Sequence, residues 1–135
     1  MSDTLSKSFQ PLEIKIASDL VGIPYLNNGI DLNGFDCWGL VWYFYNELGI
    51  KTPKPTDILT EKTNKKKKKS WKPIDYPKET CLASFKRNEI TMHVGIYIPT
   101  LRKLLHADKN MGVICEDLKS AQTNRGMKAQ FYKWH

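Results

Sequence analysis

The stretch Gly34-Phe35-Asp36-Cys37-Trp38-Gly39-Leu40-Val41-Trp42-Tyr43-Phe44-Tyr45 constrains this chain more than any other. A polar turn ends in Asp36, a residue type suited to capping a helix, and runs straight into an apolar segment. Leu40, Val41, Phe44, Tyr45 and Leu48 recur at helical spacing, while Trp38, Trp42 and Tyr43 make the other side apolar too. Such a helix is expected to be buried nearly all round, with the three aromatics in the core. Gly49 should stop it, since Lys51-Thr52-Pro53-Lys54-Pro55 cannot continue it.

The segments around this helix supply its cover. Upstream, Pro11 to Val21 reads as a short amphipathic helix with Leu12, Ile16, Leu20 and Val21 on one side, and Gly22 to Gly29 as a turn-rich loop carrying Tyr25. Downstream the period changes. His93-Val94-Gly95-Ile96-Tyr97-Ile98 alternates, with Val94, Ile96 and Ile98 on one face, and further strands are expected at Cys81 to Phe85, Lys103 to Ala107, Val113 to Glu116 and Gln130 to Trp134. Helices first and about four to five antiparallel strands afterwards is an α+β order.

With 135 residues the chain fits a polar tail at 1–10 and a single domain at 11–135, interrupted by a lysine-rich surface loop around 51–78. Trp71 and Tyr76 are expected to pin the second half of that loop. The first ten residues show no secretory leader, and no apolar run is long enough to span a bilayer, so synthesis in the cytoplasm without a signal peptide is expected. The formal charge of +7 favours polyanionic partners. Much of it sits in Lys65 to Lys69, which reads as a solvated loop; with few aromatics beside it, nucleic acid is not an expected partner.

Three cysteines at irregular spacing fit neither a disulfide framework nor paired metal ligation, and no metal or cofactor is expected. Cys81 and Cys115 sit among apolar strand residues and read as small core side chains. Cys37 differs because it starts a helix, where unpaired N–H groups and the helix dipole favour thiolate. A nucleophilic thiol also needs an imidazole and a group that orients it. His93 and His106, on neighbouring strands, could meet against the helix start; His135, at the chain end, is the weakest of the three histidines.

The ordered set Gly22-Ile23-Pro24-Tyr25, Asp36-Cys37-Trp38-Gly39-Leu40-Val41, His93-Val94-Gly95-Ile96-Tyr97-Ile98 and Leu105-His106-Ala107 resembles the NlpC family of papain-like cysteine peptidases, which cut peptides in bacterial cell walls. The resemblance implies a papain-like fold with Cys37 as nucleophile, His93 as general base and His106 as the residue orienting the base. It further implies that Tyr25 lies near the oxyanion position and that Asp36, besides capping the helix, binds the free amine of the substrate. The implied substrate is a peptidoglycan stem peptide, cut between D-glutamate and the diamino acid. Trp38 and the closing Gln130-Phe131-Tyr132-Lys133-Trp134 look most similar to phage tail peptidases, which implies tail proteins as partners and action on the cell envelope after delivery. The rival readings are a secreted cell-wall hydrolase effector with an immunity protein, and a non-enzymatic basic binding module.

Two departures from the family pattern stand out. Asn28-Gly29 replaces a paired glycine in the turn after Tyr25, a change that asparagine tolerates. Lys78-Glu79-Thr80-Cys81 replaces the usual Gly-Asp before the strand that precedes the base, which bears on the loop expected beside the site.

Overall fold

The computed structural model describes residues 11–55 and 70–135. The expected tail at 1–10 and the lysine run Lys65 to Lys69 lie outside the described residues. Helix α1 covers Leu12–Leu20 and helix α2 Cys37–Glu47, with a short ribbon of β1 (Ile30–Asp31) and β2 (Gly34–Phe35) between them. Then follow β3 (Trp71–Ile74), β4 (Cys81–Arg87), β5 (Ile90–Ile98), β6 (Lys103–Asp108), β7 (Gly112–Asp117), helix α3 (Leu118–Arg125) and β8 (Ala129–Trp134). The last six strands form one antiparallel sheet in the order β3-β8-β4-β5-β6-β7. This is the expected α+β class, with the β1–β2 ribbon, one further strand in the sheet (β3) and one further helix (α3) beyond what the sequence announced.

Both faces of the sheet are covered. On one face Val94, Ile96 and Ile98, as their alternation predicts, join Leu82, Leu105 and Ala107 in packing against Leu40, Val41 and Phe44 of α2 and against Ile16, Ala17 and Leu20 of α1. The opposite face carries a second cluster, in which Ala83, Phe85 and Leu104 meet Ala121 of α3, flanked by Tyr97, Leu118 and Phe131. Burial of so many aliphatic and aromatic side chains, each contributing about 1.5–3 kcal/mol, fixes α2 against the sheet.

Local details differ from expectation in instructive ways. The buried face of α1 is Ile16, Ala17 and Leu20, while Leu12 and Val21 are exposed because they lie at the ends, beyond the cover of the sheet. Trp38, Trp42 and Tyr43 are only half-buried, so α2 is not enclosed all round. Its outer side is finished by aromatic and cationic contacts instead: Tyr43 edge-on to Phe35 with centroids 5.1 Å apart, and Lys54 Nζ 5.3 Å above the Trp42 ring. Gly49, at φ +79°, follows the helix end as predicted. Trp71 does pin its segment, 5.2 Å from Tyr45 and 5.1 Å from Trp134, but it does so from within a strand. Tyr76 points into solvent and pins nothing.

The segment Lys78 to Thr80 is not beside Cys37. It enters β4 at Cys81, opposite Tyr97, and lines a cavity of about 440 Å³ with Tyr45 and Leu48 at the C-terminal end of α2, the end away from Cys37. Among the described residues no helix is long and apolar enough to cross a membrane.

Candidate active site

The N-terminus of α2 is held by a carboxylate that uses both oxygens. Asp36 sits in extended conformation (φ −93°, ψ −177°), and its Oδ1 accepts the N–H of Gly39 at 2.7 Å, the expected cap. Its Oδ2 accepts the N–H of Asn28 at 3.1 Å, tying the preceding loop to the helix start. Asn28 takes φ +62°, as the Asn28-Gly29 turn requires, and Gly29 O then accepts the N–H of Asp36 at 3.2 Å. Each Asp36 oxygen keeps a second acceptor position for a further donor. Tyr25 is carried by the same loop through a parallel bridge to Phe35, and its hydroxyl lies in the electrostatic neighbourhood of Cys37 and Asp36. Burial first, then those two groups, push the phenol above its usual range, so it remains a hydrogen-bond donor.

Cys37 opens α2 where the sheet opens too. The β5–β6 ladder covers only Ile96↔Leu105, Tyr97↔Leu104 and Ile98↔Lys103, although both strands continue past it. There the half-buried thiol meets the backbone N–H of Val94, the residue after His93. The sequence favoured a thiolate here, and the structure corrects that. Burial and, less strongly, Asp36 push the Cys37 thiol up, and the N–H groups of Val94, Trp38 and Cys37 itself offset this only in part. Cys81 is buried on β4 and its thiol is pushed up to about 12 by burial; Cys115 is half-buried on β7 and shifted the same way.

The two histidines do meet. His93 lies inside β5 rather than at its start, because that strand begins at Ile90. His93 Nε2 is 2.8 Å from His106 Nδ1, with the rings edge to face at 80° and centroids 5.0 Å apart. His106 is fully buried, and its Nε2 lies 2.9 Å from Glu116 Oε1. Arg125 Nη2 approaches His106 Nδ1 at 3.3 Å and Asp108 Oδ1 at 3.6 Å. Burial lowers the affinity of both rings for a second proton. Arg125 and His106 add to this at His93, which falls to about 3, while Glu116 opposes it at His106. His135 is exposed, and its backbone pairs with Ser70, remote from these rings in the sheet.

Glu116 and Arg125 were not foreseen from the sequence. Their signal was present in outline: Asp117 and Gly126 bracket Leu118–Arg125 as an N-cap and a left-handed C-cap, with Asp117 Oδ2 accepting the N–H of Ser120 at 3.3 Å and Gly126 at φ +62°. Among the described residues no group of three or more His, Cys, Asp or Glu side chains could hold a metal ion.

A family model described as the NlpC/P60 family matches residues 22–131. Among solved structures, the chain is similar to the NlpC/p60 domain of peptidoglycan hydrolase SagA, with 20% identity, a TM-score of 0.63 and coverage of 88% of this chain and 94% of that one. It is also similar to an NlpC/P60 family protein from Bacillus cereus (19% identity, TM-score 0.66, 87% of this chain and 38% of that one). A third likeness is to NlpC1 from Trichomonas vaginalis (17% identity, TM-score 0.65, 91% and 43%). The chain thus spans less than half the length of the latter two, and at these identities the likeness is one of fold. No curated protein sequence matches the chain.

Proposed function

The chain belongs to the NlpC/P60 family, and we propose that it is a cysteine peptidase in which Cys37, His93 and His106 act as nucleophile, base and orienting residue on a peptidoglycan stem peptide. The observation that carries this reading is the 2.8 Å contact between His93 and His106, on the strand whose next residue, Val94, offers its N–H to Cys37. Thiol and imidazole both rest neutral, so the proton moves as attack begins. Cys37 Sγ adds to the scissile carbonyl and His93 takes the thiol proton. The resulting oxyanion is stabilised by the Tyr25 hydroxyl and the backbone N–H of Cys37. Collapse expels the amine, which takes the proton from His93 and leaves a thioester. Water, deprotonated by His93, then releases the acid and restores the thiol.

In this reading Asp36 keeps its capping bonds and offers its remaining acceptor positions to the substrate's free amine. The bond cut is the one between D-glutamate and the diamino acid. Trp38 and the Gln130 to Trp134 segment support a place in a phage tail, with action on the envelope after delivery. The test is incubation with purified muropeptides, followed by mass spectrometry. Wild type should yield the two fragments of the D-glutamyl bond, and Cys37→Ala none. Identical spectra from both proteins would overturn the peptidase reading; cleavage at another bond would overturn the specificity alone.

A further inference from the structure

His106 is flanked on both ring nitrogens by groups of fixed hydrogen-bonding character. Glu116 Oε1, 2.9 Å from Nε2, can only accept when ionised, whereas Arg125 Nη2, 3.3 Å from Nδ1, can only donate. Resting on the reading of Cys37 and His93 as nucleophile and base, we propose that Glu116 and Arg125 are positioning residues that lock His106, and through it His93, in the tautomer with hydrogen on Nε2.

An acceptor-only group at Nε2 requires a hydrogen there. A donor-only group at Nδ1 requires that nitrogen to be bare. The opposite tautomer, or a doubly protonated ring, would aim an N–H from the buried His106 at the Arg125 guanidinium, setting donor against donor, and His93 Nε2 alone would be left to accept it. Nδ1 of His106 is therefore an acceptor, and His93 Nε2, 2.8 Å away, must be the donor. A neutral His93 with hydrogen on Nε2 has Nδ1 as its lone-pair nitrogen, the only one able to take a thiol proton. When it does so, His93 becomes an imidazolium that still donates through Nε2. No hydrogen leaves the relay, and the new charge faces Glu116 through one intervening ring.

Arg125 cannot drift freely from this arrangement. It sits in the last turn of α3, a helix capped by Asp117, the residue next to Glu116, and it faces Asp108 Oδ1. Two consecutive elements, the end of β7 and the last turn of α3, thus supply the two sides of the lock.

The test uses the full chain with 15N-labelled histidine, since long-range proton–nitrogen spectra near neutral pH report which nitrogen of each ring carries hydrogen. Wild type should show Nε2–H on His93 and His106. Glu116→Leu should lose that state at His106 and lower kcat for stem-peptide hydrolysis on the order of a hundredfold, the scale of general-base catalysis, with KM unchanged. Glu116→Gln, whose carbonyl oxygen can accept the same bond, should keep the tautomer and lose less than tenfold. Arg125→Met gives a second variant should Glu116→Leu fail to fold, and it should mix the tautomers of His106. Hydrogen on Nδ1 of His106 in wild type, or unchanged spectra and kcat in the folded Glu116→Leu and Arg125→Met variants, overturns the proposal. An inactive wild type with both rings in the Nε2–H form supports the lock and refutes the peptidase reading; an active one with His106 in the other form does the reverse.

Discussion

Replacing Gly39 by alanine should destabilise this protein although the position is helical. In an open helix the change would add about 1 kcal/mol of stability, because alanine is the better helix former. Here a Cβ on residue 39 would lie 1.8 Å from Gly29 O, 2.9 Å from Gly29 C and 3.1 Å from Asp36 Oδ1. Two of these are backbone atoms, so no side chain can swing aside. Restoring ordinary contact means moving the Asn28-Gly29 turn by more than an ångström. That movement breaks the bonds Asp36 N–H to Gly29 O (3.2 Å) and Asn28 N–H to Asp36 Oδ2 (3.1 Å). With about 1 kcal/mol for each bond and about 1–3 kcal/mol for residual overpacking, less the propensity gain, the net loss is about 2–4 kcal/mol. For a chain of this size that lowers Tm by roughly 10 °C. Thermal unfolding followed by circular dichroism measures it, with Asn46→Ala, at an exposed position of the same helix, as the control that should not lose stability. A Gly39→Ala protein melting at or above wild type would refute the argument.

Further expectations follow from the same geometry. Asp36→Ala should cost about 1–2 kcal/mol in urea unfolding, whereas Asp36→Asn, which keeps the cap on Gly39 N–H and loses only the bond from Asn28, should cost less; equal losses would show that the cap is not what matters. Stability should fall on acidification below about 6.5, because the unfolded chain binds a proton at His93 that the folded chain refuses until about 3; linkage puts the loss at about 2 kcal/mol per such group between pH 7 and 5, and His93→Gln should remove its share. Iodoacetamide should label Cys37 faster than Cys81 in the native protein, with a rate at Cys37 still rising above the usual thiol range; mass spectrometry of the labelled peptides decides it.

How much of this could be read from the chain differs residue by residue. Asp36 and Gly49 declared the ends of α2 because caps are local chemistry, and Val94, Ile96 and Ile98 declared their face because a strand has period two. The meeting of His93 and His106 was also expected, from two strands close in sequence. Strand β3 escaped because it is only four residues long, contains Pro73 and gains its strand character from β8, far away in sequence. Helix α3 escaped because only Ala121 is buried along it, which leaves no apolar stripe to detect. Glu116 was visible as a strand residue but not as a partner of His106. It lies two positions along from the residue paired with His106, and which face it shares depends on the register of β6 with β7. The protonation of Cys37 was misjudged for a related reason: the helix start is local, whereas the burial that outweighs it comes from the sheet.

The strand order also sets a timetable. β4, β5, β6 and β7 pair with their neighbours in sequence, through short reversals, so His93, His106 and Glu116 can be brought together by contacts that close quickly. β3 and β4 are consecutive in the chain yet lie apart in the sheet, with β8 seated between them. That seat cannot fill until the chain has been made past residue 129. The imidazole relay therefore belongs to the part of the sheet that local contacts can close, and the wall behind Trp71 and Tyr45 to the part that must wait for β8.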